Sequence, residues 1–218
     1  MLMNEIIDIL EGGKENILLT NHLGNGKYSN AGNAMAASYA IAAHTAVGQL
    51  RDGSGKPYWH HLLQVAEMAQ LFDLSHAAYK AAWLHDVIED TAVTASDLTK
   101  LFSIPVVNLV TELTNVTYKG NRKTRISLQH ERLSRISWSG QSLKLLDSIS
   151  NMWSIVNDKP DFAELYLTEK AQLISKLNNC HPAIKDLAIS VLYGRCTMVG
   201  GDALKEYNKL FSDNEIVC

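Results

Sequence analysis

A chain of 218 residues holds one domain, or one domain with an appendage, and is long enough to bury a sizeable core. Hydrophobic residues at 46% and charged residues at 20% are the composition of a water-soluble globular protein, and a net charge of −3 argues against a general nucleic-acid binder. Cys180, Cys196 and Cys218 are scattered, odd in number and form no CxxC pair, so they suggest neither a disulfide framework nor a zinc knuckle and fit a reducing cytoplasm.

Met1–Glu11 places Leu2, Ile6, Ile9 and Leu10 at helical spacing and stops at Gly12-Gly13. It lacks the basic start and long apolar core of a secretory leader, and no later apolar run reaches membrane-spanning length. Asn21–Gly32, rich in Gly and Asn, is a loop, so residues 1–32 form an N-terminal extension. The Ala-rich run from Asn33 to about Leu50 has strong helix propensity. Arg51–Pro57 is a turn-rich loop, and Pro57 suits the opening of the next helix. Helices are expected over Tyr58–Phe72 and Ser75–Asp90, then a break at Thr91–Thr94. Ser96 or a neighbour caps a short helix through Phe102, and Pro105 opens another through about Tyr118. Asn121–Ile136 is helical and basic. Gly140 precedes a helix through about Val156, and Asp161–Leu177, Pro182–Thr197 and Ala203–Phe211 complete the set. Period-2 alternation is scarce. The fold class is therefore all-α, a multi-helix bundle over residues 33–200 with a C-terminal helix and tail over 201–218.

One stretch stands apart. Ala81–Thr91 sets His85, Asp86, Glu89 and Asp90, with Lys80 a turn earlier, beside an apolar run. Charged groups are seldom buried unless paired or bound to metal. On a continuous helix His85 and Glu89 are neighbours, as are Asp86 and Asp90. Carboxylates crowded in this way repel one another, and a cation or protons would relieve them. The competing reading is a solvated helix end.

Further ligands would have to come from elsewhere. His60 and His61 follow the Gly-Pro loop, where functional groups gather; lone histidines on apolar faces are more often core residues. Asp147 sits among leucines, and its alternative reading is an ion pair with Lys144. Two imidazoles and two carboxylates suit Mn²⁺, Fe²⁺ or Zn²⁺ with an open position for water.

The order His…His-Asp…Asp resembles that of the HD phosphohydrolases. The strings GQLRDGSGKPYWHH, AAWLHDVIEDT, FSIPVVNLVTELT and KLLDSISNMWSI are similar to successive motifs in the hydrolase domain of RelA/SpoT homologues, from about His44 to Leu177. The resemblance implies an all-α HD-domain bundle with a central metal site. It implies hydrolysis of the 3′-pyrophosphate of a guanosine or adenosine alarmone, (p)ppGpp giving GDP or GTP and pyrophosphate, by a stand-alone cytoplasmic hydrolase. By the same resemblance His61, His85, Asp86 and Asp147 are metal ligands, with Mn²⁺ or another divalent ion as cofactor. Glu89 and Asp90 form the catalytic acidic pair, Arg51 stacks on the purine, and Asn151 lies near ribose and phosphate. Tyr58 and Lys144 are further substrate contacts. A small nucleotide is the partner, with neither nucleic acid nor membrane; homo-oligomerisation is left open.

The chain departs from that pattern at Leu62, where the family has proline, and at Ser148 and Trp153, where it has basic residues. Two extra residues separate His44 from Gly48-Gln49. The lost cations admit a phosphatase acting on NADPH or a nucleoside monophosphate. A non-catalytic nucleotide-binding module is a third reading, opposed by the intact Glu89-Asp90 pair. Lys119, Arg122, Lys123, Arg125, Arg132 and Arg135 are a reserve of positive charge, most of it expected on a solvated helix face.

Overall fold

Every regular element among the described residues is an α-helix, as the helical spacing of the apolar positions requires. The computed structural model describes residues 2–12, 28 and 30–212. Most of the loop expected at Asn21–Gly32, and Cys218, lie outside the described residues. The chain forms two compact units, Met1–Thr114 and Asn115–Cys218.

The first unit contains α1 (Leu2–Glu11), α2 (Ala31–Ala46), α3 (Trp59–Leu71), α4 (His76–Leu84), α5 (Val87–Asp90), α6 (Ala95–Thr99) and α7 (Ile104–Leu113). Helix α4 is its hub and packs against α2, α3 and α7. Three neighbours can surround it because Ala78, Ala81 and Ala82 let their backbones come close, while Tyr79, Trp83 and Leu84 fill the space between. Each large apolar side chain buried in this way contributes about 1.5–3 kcal/mol. Helix α1 lies on α3 through Ile6 and Leu10, and Gln64 Nε2 donates to Leu10 O at 2.9 Å. That bond serves one of the carbonyls that a helix end leaves open. Gly12 follows α1 at φ 74, the left-handed conformation that ends many helices.

Two expected boundaries move in this unit. Thr94, close to the expected cap at Ser96 or a neighbour, caps α6 in a reciprocal capping box with Asp97, and the helix ends at Thr99 rather than Phe102. Helix α7 has Pro105 in its first turn as expected but ends at Leu113 rather than near Tyr118.

The second unit contains α8 (Arg122–Leu133), α9 (Trp138–Asp158), α10 (Pro160–Lys176), α11 (Pro182–Val199) and α12 (Gly201–Phe211). The segment before α8 leaves the helical conformation where Gln129 reaches it. Gln129 Nε2 donates to Asn115 Oδ1 at 2.6 Å, and Val116 N–H donates to Gln129 Oε1 at 3.4 Å. Helix α9 packs against α10 and α11, and α10 also meets α8 and α12. Leu143, Leu145, Leu146, Ile149 and Met152 bury the inner side of α9. It starts at Trp138, earlier than expected, because the Ser137 side chain accepts from Gly140 N–H and draws Gly140 into the first turn.

Candidate metal centre

The central finding is a break. The helix expected over Ser75–Asp90 ends at Leu84, and α5 begins at Val87; His85 (φ −60, ψ −30) and Asp86 (φ −102, ψ −3) form the step between them. Adjacent residues on a continuous helix do not face each other. Across the step they do: His85 Nε2 lies 3.1 Å from Asp86 Oδ2. His61, in the first turn of α3, brings its Nε2 to 3.2 Å from His85 Nε2 and 3.6 Å from Asp86 Oδ2. His61 and His85 are 1% and 2% exposed, so this meeting point is screened from bulk water.

The protonation pattern follows from one bond. His85 Nδ1 lies 2.8 Å from Ala82 O, which can only accept, so Nδ1 carries the proton and Nε2 presents a lone pair. That lone pair faces a carboxylate oxygen. The contact is repulsive while both rings are neutral; a metal cation, or a second proton on a ring, would relieve it. Metal–ligand bonds of about 2.1 Å at angles of about 90–109° place donor atoms about 3.0–3.4 Å apart. Two of the observed separations, 3.1 and 3.2 Å, fall within that spacing, and the third, 3.6 Å, is slightly longer. These three side chains are the group among the described residues able to hold a metal ion. Glu89 and Asp90 are exposed on α5 and stand outside it, so the expected crowding of carboxylates on one continuous helix does not occur.

The loop from Val47 to Tyr58 reaches this centre through Tyr58. Tyr58 OH donates to Asp86 Oδ2 at 2.6 Å, and Gln49 Nε2 donates to Asp90 Oδ2 at 2.8 Å. Arg51 closes the loop through its backbone, its N–H donating to Lys56 O at 2.7 Å. His60 stacks on Trp59, with ring centroids 3.8 Å apart, and is not among the metal-capable group. Gln49 had been visible only as a letter in a motif, because a neutral amide announces no chemistry until its neighbours are known.

In the second unit Asp147 is 5% exposed on α9. Lys144 Nζ lies 2.8 Å from its Oδ2, and Asn151 Nδ2 donates to Oδ1 at 2.6 Å. Three residues named in advance thus form one cluster, and the ion pair foreseen as the alternative reading of Asp147 is present. Cations also arrive at the two positions where the sequence lacks them. Lys170 Nζ donates to Ser148 Oγ at 3.3 Å, and the Arg195 guanidinium lies 4.1 Å above the Trp153 ring. Of the basic reserve, Arg122 pairs with Glu169 at 2.7 and 2.8 Å and Arg135 pairs with Glu131, while Lys119 and Lys123 are exposed.

An all-α bundle that converges two imidazoles and the carboxylate of a His-Asp step on one point has the arrangement of an HD domain with a candidate metal centre. The HD-domain family model matches residues 36–155, and the chain belongs to that family. Among curated relatives, the probable guanosine-3′,5′-bis(diphosphate) 3′-pyrophosphohydrolase of Mycoplasma pneumoniae is 30% identical over 140 residues, covering 59% of this chain and 18% of the relative. The bifunctional (p)ppGpp synthase/hydrolase SpoT of Escherichia coli is 26% identical over 167 residues, covering 72% of this chain and 24% of its own length. The chain therefore spans a quarter or less of these two relatives. A solved structure described as a metazoan ortholog of SpoT that hydrolyzes ppGpp superposes with a TM-score of 0.70 at 22% identity, covering 78% of this chain and 98% of that one. At that identity the likeness speaks for the fold. Among the described residues no helix is long and apolar enough to cross a membrane.

Proposed function

We propose that this protein is a metal-dependent hydrolase that removes the 3′-pyrophosphate from a guanosine or adenosine alarmone. The observation that carries the reading is the His61–His85–Asp86 convergence at 3.1–3.6 Å, in a chain whose sequence relatives are named for that reaction. Asp147 is proposed as a fourth ligand on the resemblance alone, and Mn²⁺ as the native ion. A divalent ion held here would lower the pKa of a bound water and polarise a phosphoryl oxygen.

The chain's own groups do the rest. His61 and His85 hold their rings through burial, and His85 is further fixed by the carbonyl of Ala82. Tyr58 steers the Asp86 carboxylate by donating to Oδ2. Glu89 and Asp90, exposed on α5, would orient the attacking water and take its proton. Arg51 would stack on the base, and Lys144 and Asn151 would meet ribose and phosphate. Cys180 and Cys196 are free thiols, in keeping with a place in the cytoplasm.

The test is chromatography of labelled ppGpp, pppGpp and ppApp incubated with the purified protein and Mn²⁺, with NADPH and nucleoside monophosphates alongside. Release of pyrophosphate from at least one alarmone is expected. Turnover confined to NADPH or a monophosphate would replace the substrate class and keep the metal chemistry.

A further inference from the structure

His44 and Gln49 have been given no role in this chemistry, yet they are built into it. Gln49 is held by its backbone from both sides: its N–H donates to His44 O at 3.1 Å, and its carbonyl accepts from Tyr58 N–H at 3.1 Å. Gly48, at φ 65, makes the turn between them. The Gln49 side chain then meets two different neighbours, Asp90 Oδ2 at 2.8 Å from Nε2 and His44 Nδ1 against Oε1.

The direction of every proton in this chain follows from Asp90. An ionised carboxylate only accepts, so the amide nitrogen must face it. That turns Oε1 toward His44, and a carbonyl oxygen also only accepts, so His44 must carry its proton on Nδ1. Nε2 is then a bare acceptor. It is buried without a hydrogen-bond partner, in a ring that is 1% exposed and stacked on Tyr58 at 4.9 Å and 26°. An unpaired buried polar atom costs about 1–3 kcal/mol, and either neutral tautomer bears that cost at Nε2, so the Gln49 contact at Nδ1 is what decides between them. The same loop reaches the metal ligands by a second route, since Tyr58 lies on His44 and donates to Asp86.

We propose that His44 and Gln49 are positioning residues for Asp90: His44 locks the Gln49 amide, and the amide holds one carboxylate oxygen so that the other faces the attacking water. The proposal rests on the hydrolase reading above, and its test has an arm that does not depend on turnover.

The first arm is NMR of the ring nitrogens in protein carrying isotope-labelled histidine, without nucleotide. The Nδ1–H tautomer of His44 is expected in the natural protein and its loss in Gln49→Leu. The second arm is steady-state kinetics with ppGpp and Mn²⁺. Gln49→Leu and His44→Phe should each lower kcat about 10- to 100-fold, with KM within about two-fold, the scale on which misplacing a reacting group acts. His44→Asn, whose amide N–H stands where Nδ1–H stood, should recover most of the loss. A packing role makes the opposite ranking, because phenylalanine keeps the stack on Tyr58 and asparagine does not. An Nε2–H tautomer in the natural protein, an unchanged kcat in Gln49→Leu, or phenylalanine outperforming asparagine would overturn the proposal. If the natural protein leaves ppGpp intact, the substrate reading fails and the tautomer decides this inference on its own.

Discussion

Asp86 serves several neighbours at once: it accepts from Tyr58 at 2.6 Å while facing His85 at 3.1 Å and His61 at 3.6 Å. Asp86→Asn keeps the shape and an acceptor for Tyr58 but removes the negative charge. It should abolish metal retention in elemental analysis and lower kcat/KM about a thousand-fold, the several kcal/mol that a catalytic ion supplies. Retained metal with normal turnover would remove Asp86 from the ligand set. A quieter change concerns Lys170. Its ammonium stands 3.3 Å from Ser148 Oγ and 5.1 Å from the Tyr166 ring centroid. If it restores the charge missing at Ser148, Lys170→Gln should raise KM for ppGpp about 10- to 100-fold, matching the roughly 1.5–3 kcal/mol typical of a charged hydrogen bond. The rise should shrink as salt is added, because screening weakens the natural contact too. A KM that does not move would leave Lys170 a structural neighbour of Ser148 and Tyr166 with no part in substrate binding.

Helices were legible wherever apolar spacing and a terminal signal agreed. Ser75 opens α4, Pro182 stands at the start of α11, and Asn121 caps α8. The break at His85-Asp86 was not legible, for a physical reason. Both residues keep dihedrals near the helical basin, and the apolar run continues through Val87, which is fully buried. Nothing in spacing or propensity marks a step that exists because side chains on another helix meet it. The ligand candidates could be named by the motifs they sit in; their convergence could not, since it depends on α3 crossing the end of α4. His130, on the inner face of α8, was passed over as well. It is 6% exposed, and burial, helped by Lys170, Lys176 and Lys144, pushes its pKa down to about 4. The unfolded chain takes up that proton near pH 6.5. Above pH 6.5 both states are neutral and the full stability is present. As pH falls from 6.5 toward 4 the unfolded state is protonated and the fold is not, so stability is lost, by up to about 3 kcal/mol in all. Urea unfolding at about pH 7.5 and pH 5 should show His130→Gln losing less stability on acidification than the natural protein. Equal losses would locate the acid sensitivity elsewhere.

At the scale of the whole molecule, a metal centre adds a term to stability that depends on concentration. An ion that binds the folded chain and not the unfolded one stabilises it by about 2.7 kcal/mol at a hundred times its dissociation constant. In a protein of this size each kcal/mol raises Tm by about 2–4 °C, so saturating Mn²⁺ should raise Tm by roughly 5–10 °C. Chelator should reverse the rise, and calorimetry would follow both. His61→Ala should remove most of the response. It also opens a cavity, so the diagnostic quantity is the metal-dependent shift within each variant, not the absolute Tm. Asp147→Asn is the informative comparison, because this ligand rests on resemblance while Lys144 and Asn151 also engage its carboxylate. If Asp147 is a ligand, the variant should show a smaller Mn²⁺ shift and a weaker apparent affinity. Its metal-free Tm should fall only slightly, since Asn keeps the acceptor for Asn151 and loses the ion pair. A full Mn²⁺ response in Asp147→Asn would confine the centre to His61, His85 and Asp86, a three-ligand site whose remaining positions water and substrate must fill.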